Sequence, residues 1–139
     1  MVSRVFSAGL SGIDGYIVTV ECFLSGGLPR LDVVGLPTGA VSEAGERVRA
    51  AAKACAFDWP VSRLTVNLAP ADTKKAGTAY DLPLLLSILA AAGEIDAPPD
   101  NALFFGELSL TGELRPVCGA LSMALAARDA GFKTVFVPA

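Results

Sequence analysis

Residues 81–92 read Asp-Leu-Pro-Leu-Leu-Leu-Ser-Ile-Leu-Ala-Ala-Ala, and Gly93 follows them. Apolar side chains occupy nearly every position, so a helix formed by this stretch has no polar face to turn toward water. Asp81 is placed to cap the helix, Pro83 is tolerated in a first turn, and Gly93 suits a helix end. We therefore predict a helix over residues 82–92 at the buried centre of the fold.

Short apolar runs on both sides of this helix predict strands. Their side chains alternate between apolar and polar, the period of a half-buried strand. Glycines near residues 9–15 suit the turn of a hairpin, and no helix follows them to bind a phosphate at its N-terminus. The predicted strands cover residues 3–8, 16–24, 31–34, 64–68, 103–108 and 134–137, with a further hairpin turn at Gly112.

Two more helices are expected. Apolar residues recur at helical spacing from Val41 to Cys55, and we expect Thr38 to cap this helix. Its charged residues share the opposite face, where Glu43 and Arg47 form a favourable pair four residues apart, and this face is expected to be solvated. Residues 119–130 form the last predicted helix. Strands mixed with helices indicate an α/β fold.

The composition fits one intracellular domain. The chain has 139 residues, of which 53% are hydrophobic and 18% charged, enough for a single core. No apolar run reaches the roughly 20 residues of a membrane span, and the N-terminus lacks the pattern of a secretory signal. Cys22, Cys55 and Cys118 form no C-x-x-C pair, and we expect buried thiols in a reducing cytoplasm.

Several classes of function are excluded or disfavoured. The chain contains no histidine, which removes His-based triads and most zinc sites. A net charge of −3 argues against strong nucleic-acid binding by the domain alone. Glu107 and Glu113 flank a predicted hairpin, but two carboxylates without histidine make a poor metal site, so we predict no metal.

Several stretches together resemble the ComM/YifB family of magnesium-chelatase-like AAA+ proteins, and the resemblance covers essentially the whole chain. They are residues 33–37 with 46–51, 66–72, 81–83 and 106–115. The resemblance implies the N-terminal, ChlI-like domain of such a protein, in the ribosomal protein S5 domain 2-like, Lon-protease-like two-layer fold. Residues 1–139 would then form a single domain, with the AAA+ ATPase domain beyond them.

The resemblance also implies a role. This domain would be a non-catalytic scaffold for its own AAA+ domain and for a ring homo-oligomer, a hexamer, in the cytoplasm. The parent would use ATP and Mg²⁺ for DNA branch migration, as in natural transformation, or serve a less defined magnesium-chelatase-like role. No G-x-x-x-x-G-K-[ST] motif occurs here, so we expect no cofactor in this domain.

Lon-type peptidases use a serine and a lysine, the lysine acting as the base for the hydroxyl. The Lon motif P-K-D-G-P-S-A-G resembles residues 74–81 and places Ala79 where the serine would stand. The motif P-I-G-G-[LI]-K resembles residues 116–121 and places Leu121 at the lysine position. Neither side chain can perform its part of the chemistry, so we predict no peptidase activity.

Two alternatives remain open. A degenerate peptidase would use Thr78 as nucleophile with Lys74 or Lys75 as base. A stand-alone partner-binding or DNA-binding module would use modest basic patches, which add up when several copies act together. The candidate nucleic-acid contacts are Lys74, Lys75, Arg63, Arg47 and Arg49.

Overall fold

The computed structural model describes residues 2–70 and 78–138, which form both strands and helices. The predicted α/β class is confirmed. In chain order the elements are β1 (Val2–Ser11), β2 (Asp14–Ser25), β3 (Arg30–Val34), α1 (Thr38–Ala54), β4 (Arg63–Ala69), α2 (Asp81–Ala91), β5 (Ala102–Phe104), β6 (Glu107–Leu108), β7 (Leu114–Arg115), α3 (Ala120–Asp129) and β8 (Thr134–Phe136).

The main sheet has six strands in the order β3-β4-β2-β1-β5-β8. The predicted hairpin of β1 and β2 is confirmed, with Val5 opposite Val20 and Ala8 opposite Ile17. Strand β4 pairs antiparallel with β2, whereas β3 with β4, β1 with β5, and β5 with β8 are parallel pairs. The sheet is therefore mixed.

Helices cover both faces of this sheet. The pair Val5 and Val20 is buried in one core with residues of α1 and α2. Ala8 is buried in a second core with Met123 of α3, and its strand partner Ile17 packs there too. Because side chains in a strand alternate between faces, Val5 and Ala8 point to opposite sides. The expected two-layer arrangement is therefore wrong, and the domain has three layers.

Helix α2 is the buried helix that its composition predicts. It contacts α1, β1, β2 and β6, which explains why it tolerates apolar side chains all round. Within the described residues no helix has the length and apolarity needed to cross a lipid bilayer. The buried residues of α2 are Asp81, Pro83, Leu84, Leu85, Ser87, Ile88, Leu89 and Ala91.

Both predicted helix caps are wrong. Helix α1 begins at Thr38, and Pro37 in an extended conformation holds the cap position. Asp81 is the first residue of α2, after Tyr80 at the cap position, and no side-chain cap bond is made there. The Asp81 carboxylate instead binds groups of α1 and β6, because an ionised partner offers a stronger hydrogen bond than a helix amide.

The predicted strand over residues 103–108 is divided between two sheets. Strand β5 ends at Phe104, and β6 pairs with β7 in a separate two-stranded sheet. Between them Gly106 has φ of +157°, donates its N–H to the carbonyl of Ala79 at 2.9 Å and accepts the N–H of Leu82 at 3.1 Å. Glycine suits this position because residues with a Cβ rarely adopt such a φ, and an added Cβ would also lie 2.9 Å from Leu114 Cδ2.

The cysteine prediction is correct for one thiol. Cys22 on β2 is buried, and burial raises the pKa of its thiol to about 11. Cys55 and Cys118 are exposed, so the expectation that they are buried is wrong. Cys55 follows the last residue of α1 and Cys118 precedes α3, and such connections run over the surface where an apolar sequence context does not guarantee burial.

Candidate functional site

A cavity of about 510 Å³ opens between the N-terminal ends of α2 and α3. It forms because β5 pairs with β1 through Phe6 and Leu103 and the chain then turns at Gly106 toward Ala79. The C-terminal end of β1 therefore extends beyond β5, the parallel strand beside it. The walls are formed by Gly9, Leu10, Thr78, Ala79, Tyr80, Glu107, Pro116, Val117, Cys118 and Met123.

The two positions of the Lon-type dyad do not meet at this cavity. Ala79 lines it, but Leu121 is 73% exposed and is not one of the wall residues. Met123, two positions further along α3, is buried and lines the cavity instead. Residues two apart on a helix point about 200° apart, so a side chain at position 121 faces away from Ala79.

The alternative peptidase residues are only partly described. Thr78 lines the cavity, while Lys74 and Lys75 lie outside the described residues. Among the described wall residues none is a lysine or arginine, so none of them offers a basic nitrogen for the Thr78 hydroxyl.

The side chains of Tyr16 and Tyr80 lie against Gly9 near the N-terminal end of α2. A Cβ added to Gly9 would overlap the Tyr80 hydroxyl oxygen and would lie 2.9 Å from the hydroxyl oxygen of Tyr16. Burial raises the pKa of the Tyr80 phenol well above its ordinary value. The Tyr16 hydroxyl is buried beside that of Tyr80 and adds to the rise in the pKa of the Tyr80 phenol. Glycine at position 9 therefore makes room for both rings.

An ion pair between a buried carboxylate and a partly buried guanidinium lies beside the cavity. Arg47 Nε donates to Asp81 Oδ2 at 2.6 Å, Arg47 Nη2 donates to Oδ1 at 3.1 Å, and the Leu108 N–H donates to Oδ2 at 3.1 Å. The Asp81 side chain is 2% exposed and that of Arg47 23%. The contact joins α1, α2 and β6, so Arg47 is partly buried and turned toward α2 instead of lying wholly on the predicted solvated face.

The electrostatics of this pair reflect its burial. Burial raises the pKa of the Asp81 carboxyl, while the hydrogen bonds from Arg47 and from the Leu108 N–H act in the opposite direction. The hydrogen bond to Asp81 raises the pKa of Arg47. Asp81 accepts hydrogen bonds from Nε and Nη2 of Arg47, which makes this guanidinium less available to a phosphate than that of an exposed arginine.

Arg49 and Arg63, the other predicted contacts within the described residues, have partners different from that of Arg47. Arg49 is exposed and its guanidinium lies 5.6 Å from the centre of the Trp59 ring, a cation–π contact. Arg63 pairs loosely with Asp32 at 3.7 Å on the edge of the sheet formed by β3 and β4. Each arginine thus has a different partner. Arg49 and Arg63 stay predicted contacts to nucleic acid.

The two carboxylates of the β6–β7 hairpin differ in exposure. Glu107 is partly buried and lines the cavity, whereas Glu113 is exposed and its backbone closes the turn with Ser109. In the described part of the chain no group of three or more His, Cys, Asp or Glu side chains could hold a metal ion.

Comparison with known proteins places the chain in a recognisable group. The model of a family described as subunit ChlI of Mg-chelatase matches residues 20–139. The chain is 42% identical over 135 residues to the uncharacterized protein YifB of Escherichia coli, covering 96% of the chain and 27% of that protein. It is 45% identical over 125 residues to the competence protein ComM of Haemophilus influenzae, covering 89% of the chain and 25% of that protein.

A more distant similarity reaches the Lon proteases. The chain is 36% identical over 78 residues to the mitochondrial Lon protease homolog of Caenorhabditis briggsae, covering 56% of the chain and 8% of that protein. The chain therefore spans about a quarter of the length of YifB and ComM and a smaller part of the Lon homolog.

Proposed function

This chain belongs to the family of the ChlI subunit of Mg-chelatase, and from that premise we propose that it is a non-catalytic scaffold domain of a magnesium-chelatase-like AAA+ protein. One observation carries the proposal. Ala79 lines the cavity where a nucleophile would stand, and Leu121 points away from it. An alkyl side chain at each position supplies neither a nucleophile nor a base.

The charged groups near the cavity support the same proposal. The closest ion pair, between Arg47 and Asp81, is used to join three elements of the fold. A carboxylate whose charge is paired inside the domain is less available to a substrate than an unpaired one.

We extend the proposal to the parent protein on the strength of its relatives. The resemblance to the ComM/YifB family implies an ATP- and Mg²⁺-dependent hexameric ring in the cytoplasm that acts in DNA branch migration, and the similarity to a protein named competence protein ComM supports a role in competence. The partial similarity to a Lon protease homolog, together with the mixed sheet, supports a ribosomal protein S5 domain 2-like fold. In this ring the domain would contact its own AAA+ domain.

The test of the scaffold role removes the domain from the full-length protein. We would compare the intact protein with one lacking residues 1–139 in hexamer assembly, ATPase rate and DNA binding at several salt concentrations. The scaffold proposal expects assembly and DNA binding to weaken together. Unchanged assembly, ATPase rate and DNA binding would contradict it and would favour a partner-docking domain.

The absence of peptidase activity is tested directly. We expect the purified chain to leave casein intact, and we expect the double variant Ala79→Ser with Leu121→Lys to leave it intact too, because position 121 faces away from the cavity. Casein cleavage by the unaltered chain that Thr78→Ala abolishes would instead establish the degenerate peptidase.

The second candidate is weak DNA contact by this domain, favoured by the exposure of Arg49 and Arg63. In the full-length protein, the double variant Arg49→Ala with Arg63→Ala should reduce the dependence of DNA binding on salt, since each lost phosphate contact lowers the logarithmic slope by about one. Lys53→Ala, an exposed change on the same helix as Arg49, is the matched control. An unaltered slope in the double variant would exclude these two contacts.

A further inference from the structure

The cavity has walls suited to a ligand with an apolar body. Leu10, Ala79, Val117 and Met123 contribute hydrocarbon to it. The volume of about 510 Å³ lies within the usual range of small-molecule sites, about 300 to 1,000 Å³. Such sites combine apolar walls with a few polar groups that fix the orientation of the ligand.

The polar groups of this cavity favour a cation. Glu107 carries the only formal charge among the described wall residues, and Thr78 and Tyr80 add hydroxyl groups. The nearby cation Arg47 is held by Asp81 through two hydrogen bonds. Among the described residues no ion pair involves Glu107, and Arg47 attracts its carboxylate only at longer range, so the carboxylate oxygens can receive an ammonium group.

We propose that this cavity binds an alkylammonium group, with the ammonium nitrogen on the Glu107 carboxylate and the hydrocarbon chain against Leu10, Val117 and Met123. The group can come from a small primary amine or from a lysine side chain of a protein segment. The binding is independent of the scaffold role proposed above, because it needs only the cavity of this chain.

The reactivity of the Cys118 thiol provides a measure of ligand binding. Cys118 is exposed and lines the cavity, so a bound ligand shields its thiol from alkylation, whereas the exposed Cys55 lies outside the cavity and is an internal control. We would measure the rate of iodoacetamide alkylation at each cysteine by mass spectrometry in the presence of n-hexylamine, hexanoate or hexanol. The proposal expects saturable protection of Cys118 by hexylamine and unchanged alkylation of Cys55. Equal protection by hexanoate or hexanol, or no protection by hexylamine, would overturn it.

A matched pair of variants tests the role of the carboxylate. Glu107→Gln should weaken hexylamine protection by roughly tenfold or more, the effect of losing a charge-assisted hydrogen bond. Glu113→Gln, an exposed change on the same hairpin, should leave protection unchanged. Thermal unfolding of both variants shows whether each is folded, and full protection in a folded Glu107→Gln protein would overturn the proposal.

A pair of peptides distinguishes the two sources of the ammonium group. A short peptide with one lysine is compared with the same peptide carrying an acetylated lysine. Protection by the unmodified peptide at lower concentration than hexylamine assigns the site to a protein segment. Protection by hexylamine without protection by either peptide assigns it to a small amine.

Discussion

Removal of the Asp81 carboxylate should lower the free energy of unfolding of the domain more than removal of any exposed charge. In Asp81→Ala the Arg47 guanidinium loses both hydrogen bonds to this carboxylate and the buried Leu108 N–H loses its acceptor. Loss of one partner from a buried ion pair costs about 3–5 kcal/mol. Because Arg47 is 23% exposed and can recruit water, we expect the lower part of that range.

The measurement is urea unfolding of the 139-residue chain followed by circular dichroism. We expect the free energy of unfolding to fall by about 3 kcal/mol in Asp81→Ala, and by less in Asp81→Asn, which keeps an acceptor for Leu108. Arg49→Ala is the matched control on α1, since an exposed cation–π contact is worth about 0.5–1 kcal/mol.

A double-mutant cycle isolates the pair itself. If Arg47 acts through Asp81, then Arg47→Ala should cost much less in the Asp81→Ala background than alone, with a coupling energy of about 1–3 kcal/mol. A loss below about 1 kcal/mol in Asp81→Ala, equal to that in Arg49→Ala, would refute the structural role of the pair.

Two further predictions concern the core. Gly9→Ala should lower the free energy of unfolding by about 1–3 kcal/mol because its Cβ would collide with the Tyr80 hydroxyl. Gly39→Ala is the control and should be neutral or stabilising, since a Cβ at position 39 meets nothing within 4 Å. Thermal melting of both variants tests this prediction, and equal melting temperatures would contradict it. The Cys22 thiol has a pKa raised from 9.0 to about 11, so its contribution to stability is complete below pH 9 and is lost as the pH rises toward 11. The unfolding free energy should therefore fall by at most about 1.4 kcal/mol per pH unit in that window from this group, and Cys22→Ala should remove that part of the slope.

The sequence predicted the framework because the framework follows from local patterns. The all-apolar stretch of α2 can be satisfied only in the interior, and the alternation in β1 and β2 fixes which face of each strand is buried. Every predicted helix is present in the described residues. The wrong layer count arose because α3 packs on the face of the sheet that α1 and α2 leave free, and no local pattern states which face a helix covers.

The site was harder to predict because its contacts join distant parts of the chain. Asp81 and Arg47 are 34 positions apart, and local spacing favoured Glu43 as the partner of Arg47 and a cap role for Asp81. A carboxylate at the start of an all-apolar helix was the available signal, since a buried charge requires a buried partner. The tyrosines beside Gly9 left no such signal, as glycine near a hairpin reads first as a turn residue.

The ion pair and the cavity belong to one structural unit, which links their tests. Asp81 follows the wall residues Ala79 and Tyr80, and its carboxylate binds the N–H of Leu108, the neighbour of Glu107. A ligand that binds only the native cavity stabilises the domain by about 2.7 kcal/mol at a concentration of one hundred times its Kd. If Asp81 fixes these walls, folded Asp81→Asn protein should show weaker hexylamine protection of Cys118 than the unaltered chain, because loosened walls must be ordered when the ligand binds. Equal protection would mean that the walls hold their geometry without the charged pair, and that Asp81 serves stability alone.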